Sequence, residues 1–92
     1  MRVTFDPIKS QRNLRDRDLS FDQACDFNFE GALFAVDQRM DYKEVRFVAI
    51  GRLHGRLHVL CFTEVADGIR VISFRKANTR EVHRYEKSQA VD

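Results

Sequence analysis

Three apolar runs fill most of the second half of the chain, and the short gaps between them restrict the folds available. Val45 to Gly51 alternates Val45, Phe47 and Ala49 with Arg46, Val48 and Ile50. Leu57 to Thr63 alternates Leu57, Val59 and Cys61 with His58, Leu60 and Phe62, and Ile69 to Arg75 is the third run. A period of two in β-branched and aromatic residues is the pattern of strands, and apolar residues at both phases mean that both faces are covered. The gaps Leu53-His54-Gly55-Arg56 and Val65-Ala66-Asp67-Gly68 have the length and residues of hairpin turns. The three runs therefore predict an antiparallel meander.

Other signals place helices around it. Val3-Thr4-Phe5 is short and β-prone, and Asp6-Pro7 after it reads as an N-cap followed by proline at the first helical position. That helix is expected to run to about Arg17 and to dock through a narrow stripe, Ile8 and Leu14. Ser20-Phe21-Asp22-Gln23 has capping-box spacing, with Leu19 and Ala24 as a hydrophobic staple. It predicts a second helix to about Glu30, punctuated by Gly31, with Phe21, Ala24, Cys25 and Asn28 on one face. Ala32 to Val36 reads as a short strand and Asp37 to Lys43 as a polar loop; Asn78, with Glu81 three residues on, caps a last helix. The expected order is β-α-α-β-β-β-β-α, an α+β fold with a small antiparallel twisted sheet packed against helices.

The third strand is the odd one. A buried strand has no packing need for arginine, yet this one carries Arg70 and Arg75 and turns directly into a basic helix. A period of two puts the pair on opposite faces. At least one then needs an anion, a carboxylate or the sheet's rim, so the segment is a candidate phosphate site. Residues 70–87 hold Arg70, Arg75, Lys76, Arg80, Arg84 and Lys87 against Glu81 and Glu86. Residues 22–44 are acidic, so the overall charge of +2 conceals an uneven distribution. A basic C-terminal third suits nucleic acid or an acidic partner protein.

Ninety-two residues, 43% hydrophobic and 33% charged, fit a single domain over 1–92 with one modest core. No apolar run approaches the ~20 residues of a membrane span, and the N-terminus lacks a signal peptide's apolar stretch, so the expected location is the cytoplasm. Cys25 and Cys61 have no metal-ligand spacing and read as small buried hydrophobes; no metal or cofactor is expected.

The ordered motifs carry a family resemblance. Phe5-Asp6-Pro7, Lys9, Asn13-Leu14, Leu19-Ser20-Phe21-Asp22 and Ala24 form its first half. Glu44, Arg46-Phe47, Ala49-Ile50-Gly51, Thr63-Glu64, Ile69 to Ser73, Arg75-Lys76-Ala77, Glu81 and Tyr85 form its second. In order and spacing the chain resembles the BrnT toxins of type II toxin–antitoxin systems. The resemblance implies a RelE-like fold and a ribonuclease that arrests growth. It also implies neutralisation by a BrnA-like antitoxin with a ribbon-helix-helix DNA-binding part, the two together repressing their operon, so that operator DNA is reached only through the antitoxin. Relatives close the first helix with a basic residue, His and Gly. Here the stretch is Arg15-Asp16-Arg17-Asp18, which leaves open a weakened toxin relic that binds antitoxin without cutting RNA.

Metal-free RNA cleavage needs a base for the 2′-hydroxyl, cations on the phosphorane and an acid for the leaving 5′-oxygen. Arginine suits the phosphate because its planar fork binds two oxygens. Arg75, at the open end of its strand, is the first candidate clamp, against a salt bridge to Glu81 or Glu64; Arg70 is the second. Glu44 and Arg46 come next, from the family-like motif: Glu44 is a base or a loop-edge acid paired with a nearby arginine, and His58 has the intrinsic pKa for proton transfer or is a hydrogen-bonded sheet histidine. Lys9 and Asn13 share a helix face that would reach RNA or solvent. Arg80 and Arg84 form a one-turn basic stripe, and Tyr85 is a stacking platform, an acid or a packing residue.

Overall fold

The computed structural model describes residues 1–90. The order is β1 (Arg2–Phe5), α1 (Pro7–Arg17), a 3-10 helix (Phe21–Asp26), β2 (Leu33–Val36), β3 (Phe47–Leu53), β4 (Arg56–Val65), β5 (Gly68–Lys76) and α2 (Thr79–Gln89). The five strands form one sheet in the order β1-β5-β4-β3-β2. β2 to β5 pair antiparallel as the meander requires. β1 closes the far edge parallel to β5, from Arg2 opposite Gly68 to Phe5 opposite Val71, so the sheet is mixed. Glycine is required at that seam, because a Cβ on Gly68 would stand 1.8 Å from the Arg2 carbonyl oxygen. The β3–β4 turn places His54 at φ 50° and Gly55 at φ 83°, the left-handed pair that a two-residue hairpin loop needs.

One face of the sheet carries the main core. Ala49, Leu53, Leu60, Phe62, Ile69, Val71 and Phe74 meet Leu19, Phe21, Ala24 and Phe27 from the 3-10 helix and its flanks. The other face packs Ile50, Leu57 and Val59 against Tyr85 and Val82 of α2. Asn78 caps α2, receiving the Glu81 amide while the Glu81 carboxylate receives the Asn78 amide.

Three expectations are corrected. Ile8 and Leu14 do not dock α1: they are 66% and 47% exposed, and Ser10 is the buried residue of the helix. Ser10 Oγ accepts from the Phe21 amide at 2.9 Å, and the Asn13 amide donates to the carbonyls of Leu19 (2.8 Å) and Phe74 (2.9 Å). The helix is held by directed hydrogen bonds where an apolar stripe was expected. Secondly, the second helix is a 3-10 helix ending at Asp26, and Ser20 makes no side-chain cap bond to the helix amides; its hydroxyl turns to the Asp22 carboxylate. Shortening the helix leaves Cys25 exposed, while Cys61 is buried as expected. Thirdly, β5 is not regular. Phe62 pairs with Val71 but Cys61 with Ser73, so Ile72 is an extra residue, a β-bulge. The bulge reverses the phase: Ile69, Val71 and Phe74 all point into the main core, and Arg70 and Arg75 share the α2 face. Asp18, by contrast, adopts the left-handed cap of α1 at φ 56°, its amide donating to the Leu14 carbonyl.

Candidate functional site: the open half of the α2 face

α2 covers only part of its sheet face. The exposed remainder is floored by Val48, Val59, Cys61 and Ser73 and walled by charged side chains, enclosing about 340 Å³. Directly opposed strand residues point the same way, so Arg70 beside Thr63 and Arg75 beside Val59 both stand on this face of the sheet; Arg75 lines the cavity and Arg70 lies outside its lining. The loop between β2 and β3 lies over the same face. Thr63 Oγ1 donates to the Val45 carbonyl at 2.8 Å, and Asp37 anchors the loop's other end.

Each arginine here is braced by a carboxylate. Arg70 places Nη2 3.0 and 2.8 Å from the two oxygens of Glu44, and Arg46 Nε lies 3.2 Å from the same carboxylate. The Arg46 guanidinium also sits 3.9 Å over the Tyr42 ring. Arg46 and then Arg70 hold the Glu44 carboxyl below its ordinary range, so it stands ionised. Arg75 forms a two-pronged pair with Glu81, 2.8 Å on each arm. Of the two salt-bridge partners open to Arg75 on sequence, Glu81 is the one it takes. Asp37 is buried and accepts from Arg39 at 2.9 and 2.8 Å and from the Tyr42 hydroxyl at 3.3 Å. These bonds, Arg39's foremost, hold its pKa down at about 2. Sequence reasoning passed over Asp37, Arg39 and Tyr42. A buried acid in a polar loop has no periodic signal, and only the Asp37-x-Arg39 spacing hinted at a pair.

The structure thus gathers Glu44, Arg46, Arg70, Arg75 and Arg84 on one face. His58 is not with them. It lies on the opposite face, 5% exposed, its ring 5.6 Å from Phe74, with Nδ1 2.8 Å from the Arg56 carbonyl. Tyr85 is 8% exposed and donates to the Gly31 carbonyl at 3.2 Å, a packing role. Both hydrogens of the Asn13 amide are consumed in holding α1, so it has no donor left for RNA. Lys9 is exposed on α1, which packs on the main-core side of the sheet, and Arg80 is exposed on the first turn of α2. Among the described residues no three His, Cys, Asp or Glu side chains converge into a metal-ligand set, and no helix is long and apolar enough to cross a membrane.

The mixed sheet has helices on both faces and a braced arginine cluster in its uncovered part, and comparison with protein families gives the class of this small α+β domain as toxins of type II toxin–antitoxin systems. The family described as "Ribonuclease toxin, BrnT, of type II toxin-antitoxin system" matches residues 5–81, and the chain belongs to it. The matched span includes Glu44, Arg46, His58, Arg70, Arg75 and Glu81 and ends before Arg84 and Tyr85. A search of curated proteins finds no match. Membership of a type II system implies an antitoxin partner.

Proposed function

We propose that the chain is a metal-independent endoribonuclease that arrests growth by cutting RNA on the open half of the α2 face. The observation that carries this reading is the Ile72 bulge, which brings Arg70, and with it Glu44 and Arg46, onto the same face as Arg75 and Arg84. In this reading Glu44 takes the proton of the 2′-hydroxyl as the 2′-oxygen attacks phosphorus. Arg70 and Arg46, freed from the carboxylate as it is protonated, turn their forks to the phosphorane oxygens. The 5′-oxygen leaves with a proton from solvent, and a 2′,3′-cyclic phosphate remains. Arg75 acts mainly through Glu81, fixing the start of α2 and hence Arg84 on the wall. Charge stabilisation carries most of the rate in such a site. Expression of the chain alone is expected to halt growth and degrade cellular RNA, and purified protein to cut RNA in the presence of a chelator. Arg70→Ala is expected to lower cleavage by about 10²-fold or more with an unchanged circular-dichroism spectrum. Intact RNA and normal growth on expression of the unaltered chain would overturn the proposal.

One observation favours a second reading, an antitoxin-binding module with little catalysis. Arg17 and Asp18 stand where relatives carry His and Gly, and the Arg70 and Arg75 forks are both occupied by carboxylates. Cleavage by the purified protein excludes it.

The partner in either reading is a BrnA-like ribbon-helix-helix antitoxin, through which the pair represses its operon. An apolar opening on the other face of the sheet fits a segment of that partner. It encloses about 530 Å³ and is lined by Phe29, Phe34, Phe47 and Phe62, with Glu64 and Asp67 on its rim. Beside it β2 is an edge strand, with Phe34 46% and Val36 50% exposed. An extended segment with apolar anchors and flanking basic residues matches this edge in shape and charge. Phe34→Glu is expected to abolish co-purification with the antitoxin while cleavage by the isolated protein is retained.

A further inference from the structure

The sheet's other face holds a second cluster of cations, arranged differently from the first. At the end of the sheet where α1 stops, a cleft of about 260 Å³ opens between the α1 C-terminus and the β3–β4 hairpin. Arg17, Gln23, His54, Arg56, His58 and Lys76 line it. Arg39, Arg46, Arg70 and Arg75 are all ion-paired, whereas Arg17, Arg56 and Lys76 have no carboxylate within salt-bridge distance among the described residues. Of the acids nearby, Asp26 is engaged by His54 at 3.1 Å, and Asp18 lies in the cleft wall as the left-handed cap of α1. The cleft therefore keeps an excess of positive charge.

These groups stand on fixed backbone. Lys76 is the last residue of β5 and the direct cross-strand neighbour of His58; Arg56 begins β4 opposite Leu53; Arg17 ends α1. Three cations converging on one cleft repel one another, a cost that an anion removes. His58 adds the directional element. Its Nδ1 faces a carbonyl, which only accepts, so Nδ1 carries the ring proton and Nε2 is the bare nitrogen. Burial, joined by the charges of Arg56, Lys76 and His54, lowers the pKa of the ring and outweighs the hydrogen bond to the Arg56 carbonyl, which raises it.

We propose that this cleft is a phosphate-binding site in which Arg17, Arg56 and Lys76 hold the anion and His58 Nε2 becomes a protonated donor to it. The ligand chemistry is a phosphate group, either in a nucleic-acid backbone or in a small phosphate or mononucleotide. The inference does not rest on the ribonuclease reading, since it concerns binding at the opposite face of the sheet.

The test follows His58 by NMR in the full chain. Its imidazole is titrated in inorganic phosphate and in chloride of equal ionic strength, with His83 on α2 as the internal control. The expected result is a His58 pKa higher by about a unit in phosphate, equivalent to tenfold tighter phosphate binding to the protonated form, with His83 unmoved. Arg56→Ala and Lys76→Met, at exposed positions, are each expected to abolish the difference while the Phe74 and Tyr85 resonances stay in place. Identical His58 titrations in phosphate and chloride, or a difference that survives both substitutions, would overturn the proposal. The source is then read from two further ligands. A short 2′-deoxy oligonucleotide, which cannot be cleaved through a 2′-oxygen, acting at much lower concentration than adenosine monophosphate identifies a nucleic-acid backbone; equal potency identifies a small phosphate. Either result supports the site.

Discussion

Asn13 and Arg75 show how a polar residue's role is set by what its hydrogen-bonding groups already hold. Asn13 lies on the same helix face as Lys9 and reads, from spacing, as a candidate RNA contact. Its amide instead bridges the Leu19 and Phe74 carbonyls, fastening α1 to the 3-10 segment and to β5. Asn13→Ala removes both bonds and leaves two carbonyls short of a donor. The expected loss is roughly 2 kcal/mol in urea unfolding, with RNA cleavage per folded molecule unchanged. Sequence periodicity could not show this, because it reports where apolar side chains fall, and α1 docks through Ser10 and Asn13. Arg75 was legible as a residue needing an anion; that the anion is Glu81, which also completes the α2 capping box, required the geometry of the β5–α2 corner. Asp37 gave no signal beyond its spacing from Arg39, since its burial is created by a loop folding back over the sheet.

Among the elements, β5 decides most. The hairpin turns, the alternation on β3 and β4 and the Asn78 cap were readable because each is a local rule. The Ile72 bulge is set by pairing with β4 and follows no such local rule, although the sequence holds a trace of it. Ile69 and Val71 keep a period of two, and Phe74, the largest apolar residue of the strand, falls one position out of phase. The break in phase is the signature of an inserted residue. The other edge of β5 makes a sharper prediction. Gly68 admits the Arg2 backbone so closely that any side chain must push β1 away. Gly68→Ala is expected to destabilise the protein by about 2 kcal/mol or more. In hydrogen exchange the amides of β1 should lose protection, while those of β3 and β4 retain it.

Taken whole, the molecule carries opposite electrostatic designs on its two faces, and pH separates them. His58, buried neutral on the core side, has a folded pKa below its ordinary 6.5. The unfolded chain therefore takes up that proton first, and stability falls as pH drops below about 6.5. Glu44, Glu81 and Asp37 are held down by arginines, so their contribution is complete above their ordinary 3.8 to 4.5 and is lost as pH falls through the folded values, about 2 for Asp37. Urea midpoints at low ionic strength are expected to decline in two stages, the first starting near 6.5 and the second near 4.5, and His58→Gln to remove only the first. The parallel seam between β1 and β5 has a kinetic consequence as well. Thr4 and Ile69, joined by the hydroxyl-to-carbonyl bond at 3.1 Å, are 65 positions apart in the chain. Contacts so distant close late and slowly. On a ribosome, β1 and α1 emerge with no sheet to join until β5 has followed them out of the exit tunnel, and neither charged cluster exists before then. For a member of a toxin family, completion of both faces is thus tied to the emergence of one strand, β5.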